Sequence, residues 1–180
     1  MRETFKRISR DLKYRGKIIE VYQDSVEVPN GNVAKWDYIY HKGAAAVVPV
    51  EDDGRILMVR QYRNALDRET LEIPAGGLDS VEEPGYDCAA RELEEETGYR
   101  SDHLEWLITI RTTVAFCNEK IDIYVADHLI PSQQNLDEDE FINIEKYTLA
   151  ELKEKIFSGE IEDSKTIAAL MAYNAKLEHK

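Results

Sequence analysis

The stretch "ARELEEETGY", Ala90 to Tyr99, places glutamates at positions 92, 94, 95 and 96 beside one arginine, Arg91. On a helix Glu92, Glu95 and Glu96 stand at i, i+3 and i+4, so their carboxylates converge on one face while Glu94 points elsewhere. In water such like-charge neighbours cost only about 0.2–0.5 kcal/mol per pair, which leaves a solvated acidic surface as one reading. In a cleft of intermediate dielectric, two charges about 4 Å apart repel by about 4 kcal/mol, and the patch then calls for a cation. Hard divalent ions such as Mg²⁺ take carboxylate oxygens and keep waters and substrate phosphates as further ligands.

The elements that would carry this patch can be read along the chain. "EEPGYDCAARELEEET" has a proline near its start, good helix formers, and Gly98 as a C-terminal stop. Before it, "AAAVVPV", "RILMVRQY" and "ETLEIPAGG" read as extended segments. After it, "LEWLITIRTTV", "KIDIYVADHL" and "FINIEKY" read as strands, with the polar loop "IPSQQNLDEDE" between the last two. Thr148 to Glu151 suits a capping box for a helix ending near Gly159, and Asp163 or Ser164 could cap a last helix to about Leu177. Nearer the N-terminus, residues 18–40 alternate about "VPNGN", whose Asn30-Gly31 pair suits a tight hairpin of two strands. Trp36, Tyr38 and Tyr40 then share one strand face, and aromatic packing or a subunit contact explains them on residue type alone. A mixed sheet flanked by a few helices implies an α/β or α+β sandwich.

The 180 residues suffice for one ordinary domain with a full core. A formal net charge of −13, without a basic run, disfavours nucleic acid as a partner. It also means that a phosphate-bearing substrate would need local cations, arginines or metal ions. Cys88 and Cys117 fit neither a disulfide framework nor a zinc spacing and read as thiols of a reducing compartment. The charged start "MRETFKRISR" lacks a signal-peptide apolar stretch, and the longest apolar run, Gly43 to Val50, is too short to span a bilayer. A cytoplasmic protein with no membrane partner is the expectation. His41, His103, His128 and His179 have no mutual spacing that suggests a ligand set.

The full run "GLDSVEEPGYDCAARELEEETGY" spaces Gly77, Glu83, Arg91, Glu92, Leu93, Glu95, Glu96, Gly98 and Tyr99 as in a complete Nudix box, and the chain resembles the Nudix hydrolases. Seven fixed polar or glycine positions coincide by chance on the order of one time in 10⁵ at average residue usage. Gly77 would permit a close turn into the helix, and the forked guanidinium of Arg91 can fix neighbouring carboxylates, Glu83 included. The resemblance implies that Glu92 and Glu96, with Glu95, ligate divalent metal, Mg²⁺ or Mn²⁺, helped by the backbone carbonyl of Gly76. It implies attack of water on a diphosphate, with Glu95, Arg91 and Glu83 in the catalytic machinery. The implied fold is a Nudix-type α/β/α sandwich with a mixed sheet and an N-terminal β-hairpin extension.

From roughly Val21 to Tyr173 the chain looks like the ADP-ribose pyrophosphatase branch, through "VRQYR" and "LEIPAGG" leading into the box. That resemblance assigns Arg63 to the diphosphate or terminal ribose and Trp36 to stacking on the base. Glu140, before "FINI", becomes the candidate base, with Glu138 as the fallback base or a substrate contact; an exposed acidic loop is the plain alternative for "DEDE". It further implies residues 1–42 as a hairpin region for dimerisation and base binding, residues 43–180 as the hydrolase domain, and a homodimer. The segment Thr113 to Glu119, "TVAFCNE", departs from the branch pattern "SPGFSNE" by putting Val114 and Ala115 where proline and glycine are usual. The expected activity is therefore metal-dependent hydrolysis of ADP-ribose, to AMP and ribose 5-phosphate, or of a related nucleoside diphosphate sugar. GDP-mannose hydrolysis and a non-catalytic nucleotide-sensing module stand as the alternatives.

Overall fold

The structure is a computed structural model that describes residues 4–136, 138 and 140–179. The chain divides into two compact units, residues 1–43 with 111–119, and residues 44–110 with 120–180.

The first unit is an antiparallel sheet in the order β1-β2-β3, of β1 (Lys6–Arg15), β2 (Glu20–Glu27) and β3 (Val33–Tyr40). The turn between β2 and β3 contains Gly31 at φ 85° and bonds its N–H to Val28 O at 2.8 Å, so the hairpin forms where "VPNGN" predicts it. The two strands expected within residues 18–40 are β2 and β3, and β1 adds a third before them. Its sequence "KRISRDLKYR" is too charged to show a buried strand, because this edge strand is exposed along most of its length. Residues 111–119 are stitched to the end of β3: Ile39 N–H donates to Phe116 O at 2.6 Å, and Asn118 N–H to Ile39 O at 3.2 Å.

In the second unit β4 (Ala44–Pro49) is buried throughout, which explains its unbroken apolar run. It pairs with β7 (Ala75–Gly77) and, in parallel, with β10 (Lys120–Ala126), giving the sheet β7-β4-β10-β9 with β9 (Leu104–Arg111) at the edge. Ala45 and Val47 face Cys88, Ala89 and Leu93 of helix α1 (Gly85–Thr97). Ala46 and Val48 turn the other way, into a core shared with Ile56 and Met58 of β5 (Ile56–Arg63). That core also takes Leu71 of β6 (Arg68–Glu72), Leu152 of α2 (Leu149–Phe157) and Leu170 of α3 (Ser164–Glu178). β5 lies between β6 and β12 (Ile142–Tyr147), antiparallel to both, and two short strands, β8 (Tyr99–Arg100) and β11 (Ile130–Pro131), pair beyond α1. Helices thus cover mixed sheets in the sandwich that the sequence pattern implies.

The caps follow the sequence. Thr148 and Glu151 form a complete capping box on α2, and Asp163 accepts from Thr166 N–H at 2.9 Å to cap α3. Gly98 ends α1 at φ 68°, and its N–H reaches Glu94 O. Among the described residues no helix is long and apolar enough to cross a membrane.

Candidate active site

Helix α1 presents its acidic face to a cleft of about 350 Å³ whose lining includes Ala75, Gly76, Gly77, Asp79, Arg91, Glu92, Glu95, Asn135 and Glu140. Glu92 and Glu96 are buried, at 9% and 4% exposure, whereas Glu95 is half-buried. The three acids of the sequence pattern are thus divided by environment. Burial pushes the Glu92 carboxyl up to about 7, with Arg91 working against the rise. Burial, with the charge of Glu92 adding to it, pushes Glu96 up to about 8. The charge of Glu140 raises both further, so Glu140 acts on the same field.

Arg91 organises this face. Nη1 donates to Glu92 at 2.6 Å and Glu95 at 3.0 Å, Nη2 to Gly77 O at 3.2 Å, and Nε and Nη2 each to Glu83 at 3.4 Å. Glu83 in turn accepts from the Asp79 N–H at 2.6 Å, which ties the loop before α1 to the same arginine. Gly76 makes a close approach to this face: a Cβ there would lie 2.0 Å from Glu92 Oε1. Glu94 is not part of the cleft lining. It is half-buried and accepts from the Ser132 hydroxyl, because the loop after β11 folds back over the helix end.

A divalent cation fits this set. Two buried carboxylates sit where their charge is disfavoured, the Gly76 backbone abuts one of them, and Glu96 accepts from Ala75 N–H at 2.9 Å on the neighbouring strand. As the side chains stand, Arg91 lies between Glu92 and Glu95, and among the described residues no three such ligands close on a common point. Bringing Glu95 and Glu92 onto one ion therefore requires rearrangement of the Arg91 contacts.

The remaining candidates fall in different places. Glu140 lines the cleft; Glu138 is exposed and is not part of the lining. Arg63, on β5, is held by Glu72 through two hydrogen bonds of 2.7 and 2.6 Å. Glu72 also takes Thr70 Oγ1 at 2.6 Å and the Lys165 ammonium, and Lys165 reaches Asp163 at 2.9 Å. Burial alone would raise Glu72, but the Arg63 hydrogen bonds and the charge of Lys165 hold it at about 2. A shallow pocket of about 400 Å³ opens over Arg63, Thr70 and Lys165. Trp36 belongs to the first unit, 48% exposed, beside Phe5 with ring centroids 6.0 Å apart. It lines a groove of about 750 Å³ with Ile39, Ala115 and Phe116, so part of the altered "TVAFCNE" segment faces the same groove as the tryptophan.

The loop contact of Asn135 and the Glu72–Lys165 pair had no signal in the sequence. "SQQN" is an ordinary polar loop by composition, and Lys165 looks like a surface lysine at a helix start.

A family model described as NUDIX domain matches residues 40–170. The chain belongs to the Nudix family. This Nudix hydrolase is 39% identical over 173 residues to the ADP-ribose pyrophosphatase of Bacillus subtilis (strain 168), covering 95% of this chain and 93% of that protein. It is 40% identical over 179 residues to the methanol dehydrogenase activator of Bacillus methanolicus, covering 97% and 96%. A crystal structure of an ADP compounds hydrolase superposes with a TM-score of 0.86 at 22% identity, over 99% of this chain and 96% of that one, which establishes the shared fold.

Proposed function

We propose that this enzyme hydrolyses the diphosphate of ADP-ribose, or of a closely related nucleoside diphosphate sugar, with Mg²⁺ or Mn²⁺, releasing AMP and ribose 5-phosphate in the ADP-ribose case. The observation that carries the reading is the desolvated Glu92–Glu96 pair beside Gly76, in a chain similar over 95% of its length to an ADP-ribose pyrophosphatase.

The residues have distinct tasks. Glu92 and Glu96, with Glu95 and the Gly76 carbonyl, would hold the metal, which supplies polarisation of phosphoryl oxygens and a more acidic water. Arg91, through Glu83, keeps those carboxylates in register. Glu140 takes one proton from the attacking water; the new P–O bond forms as the bridging P–O bond breaks, and the departing phosphate carries the electron pair away. Glu138 is the second candidate for that base. Arg63, preset by Glu72, meets the diphosphate or terminal sugar, and Trp36 stacks on the base. The altered Val114–Ala115 segment is the reason to include GDP-mannose among the substrates.

We also infer a homodimer built through the first unit. β1 is the outer strand of its sheet and exposes Ile8, Leu12 and Tyr14, an edge that soluble proteins usually cover. A solution mass of one chain would overturn this.

The deciding experiment incubates the purified protein with Mg²⁺ or Mn²⁺ and ADP-ribose, NAD-type dinucleotides, GDP-mannose and other nucleotide sugars, and identifies the products. Turnover of ADP-ribose to AMP and ribose 5-phosphate is expected. Turnover of GDP-mannose alone would correct the substrate, and nucleotide binding without any metal-dependent turnover would support a sensing module instead.

A further inference from the structure

The cleft contains a side-chain donor that none of the roles above uses. Its described lining carries four acids, Asp79, Glu92, Glu95 and Glu140, against one arginine. All three nitrogens of that arginine are already committed: Nη1 to Glu92 and Glu95, Nη2 to Gly77 O and Glu83, and Nε to Glu83. A guanidinium has five N–H donors, so Arg91 organises the acids and has little left to offer a phosphate. Asn135 is the remaining residue of the described lining whose side chain carries N–H donors, in a cleft otherwise rich in acceptors.

Its position is fixed by the helix. The last carbonyls of an α-helix have no partner within it. Here the loop after β11 takes them up in sequence: Ser132 N–H donates to Gly98 O at 2.7 Å, Gln134 Nε2 to Glu96 O at 2.7 Å, and Asn135 N–H to Glu95 O at 2.9 Å. The Ser132 hydroxyl adds a hydrogen bond to Glu94. The strap therefore bonds to the same residues, 95 and 96, whose side chains form the acidic face, and Asn135 is registered against that face through the backbone.

We propose that Asn135 is a substrate-positioning residue whose side-chain amide donates a hydrogen bond to an oxygen of the bound diphosphate. The inference rests on the diphosphate reading of this cleft. A hydrogen bond to a charged oxygen is strong enough for its loss to weaken binding by about tenfold or more.

The test compares the wild type with Asn135→Ala and with Asn135→Asp, an isosteric change that replaces a donor by a further acceptor. Gln133→Ala, an exposed position between the pinned Ser132 and Gln134, is the control. Two readouts are taken: KM and kcat for the preferred nucleotide sugar, and the shift in melting temperature produced by inorganic pyrophosphate with Mg²⁺. KM is expected to rise about tenfold for Asn135→Ala and further for Asn135→Asp, with kcat changed less and the ligand-free melting temperature unchanged. The pyrophosphate-induced shift should shrink in the same order. Wild-type KM and an intact pyrophosphate shift in both variants would overturn the inference, as would a fall in ligand-free melting temperature that accounts for the whole effect. If the wild type turns over no nucleotide sugar while its pyrophosphate shift still depends on Asn135, the functional reading fails and this inference stands.

Discussion

Arg63 of β5 and Glu72 of β6 share two parallel hydrogen bonds of 2.7 and 2.6 Å although the register sets Glu72 opposite Val59, and Glu72 is only 2% exposed. Such a fork fixes the guanidinium plane, and the second cation on Glu72, Lys165 from α3, makes the carboxylate the junction of β5, β6 and a helix start. Removing the carboxylate in Glu72→Ala leaves the nearly buried Lys165 with Asp163 alone and Arg63 without its fork, and a loss of about 3 kcal/mol is expected on unfolding in urea. The pH dependence has a definite sign. Glu72 is held at about 2 in the folded protein, against 4.5 when free, so its stabilisation is fully present above about pH 4.5. It is lost as pH falls from there through about 2, to a total of about 3 kcal/mol. Acid unfolding that is unchanged in Glu72→Gln would contradict this.

Glu96 has the opposite dependence. Its carboxyl is raised to about 8 from 4.5, so the metal-free protein is most stable below about pH 4.5 with respect to this group and loses stability as pH rises toward 8. Glu96→Gln should remove that loss, and its advantage over the wild type in melting temperature should grow from pH 5 to 8 in chelator. Adding Mg²⁺ should raise the wild-type melting temperature and leave the variant little changed. Parallel pH profiles for the two proteins in chelator would refute the assignment.

Gly76→Ala isolates a local clash. The added methyl would meet the Glu92 carboxylate, the free end of a flexible side chain, so the fold can yield there by swinging that group away. The expected result is a melting temperature within a few degrees of the wild type, with metal-dependent activity down by more than about tenfold. Preserved activity would mean that the position of Glu92 does not matter.

For the base, Glu140→Gln should lower kcat by about 10²–10⁴-fold with little change in melting temperature, and Glu138→Gln should do far less. The reverse ranking would move the role to Glu138.

Trp36→Ala tests base binding apart from chemistry. Loss of a stacking contact of about 1–3 kcal/mol should raise KM roughly 5- to 150-fold, with kcat nearly unchanged. Equal KM values for the variant and wild type would leave Trp36 as packing against Phe5.

Much of the architecture is legible in the residues because it depends on local rules. The Asn30-Gly31 turn, the Thr148–Glu151 capping box, the Gly98 stop and the unbroken apolar run of β4 each need only neighbouring positions to be recognised. β1 was not legible, because an exposed edge strand has no buried face to impose alternation on "KRISRDLKYR". Glu94 shows the limit from another side: helix periodicity sends it away from Glu92, Glu95 and Glu96, but a loop almost forty residues later supplies Ser132 as its partner.

By itself the sequence determined the charge pattern and its chemistry: Glu92, Glu95 and Glu96 on one helical face, an arginine among them, and the spacing that marks the Nudix family. Those are properties of side-chain type and helical period, both carried by a few consecutive residues. Tertiary structure alone decided which carboxylates lose their water, since burial depends on what packs above them. It raised Glu92 and Glu96 while leaving Glu95 half-exposed, brought Gly76 against Glu92, and locked Arg63 onto Glu72. It also carried Asn135 into the cleft by bonding a distant loop to the unpartnered carbonyls at the end of the same helix.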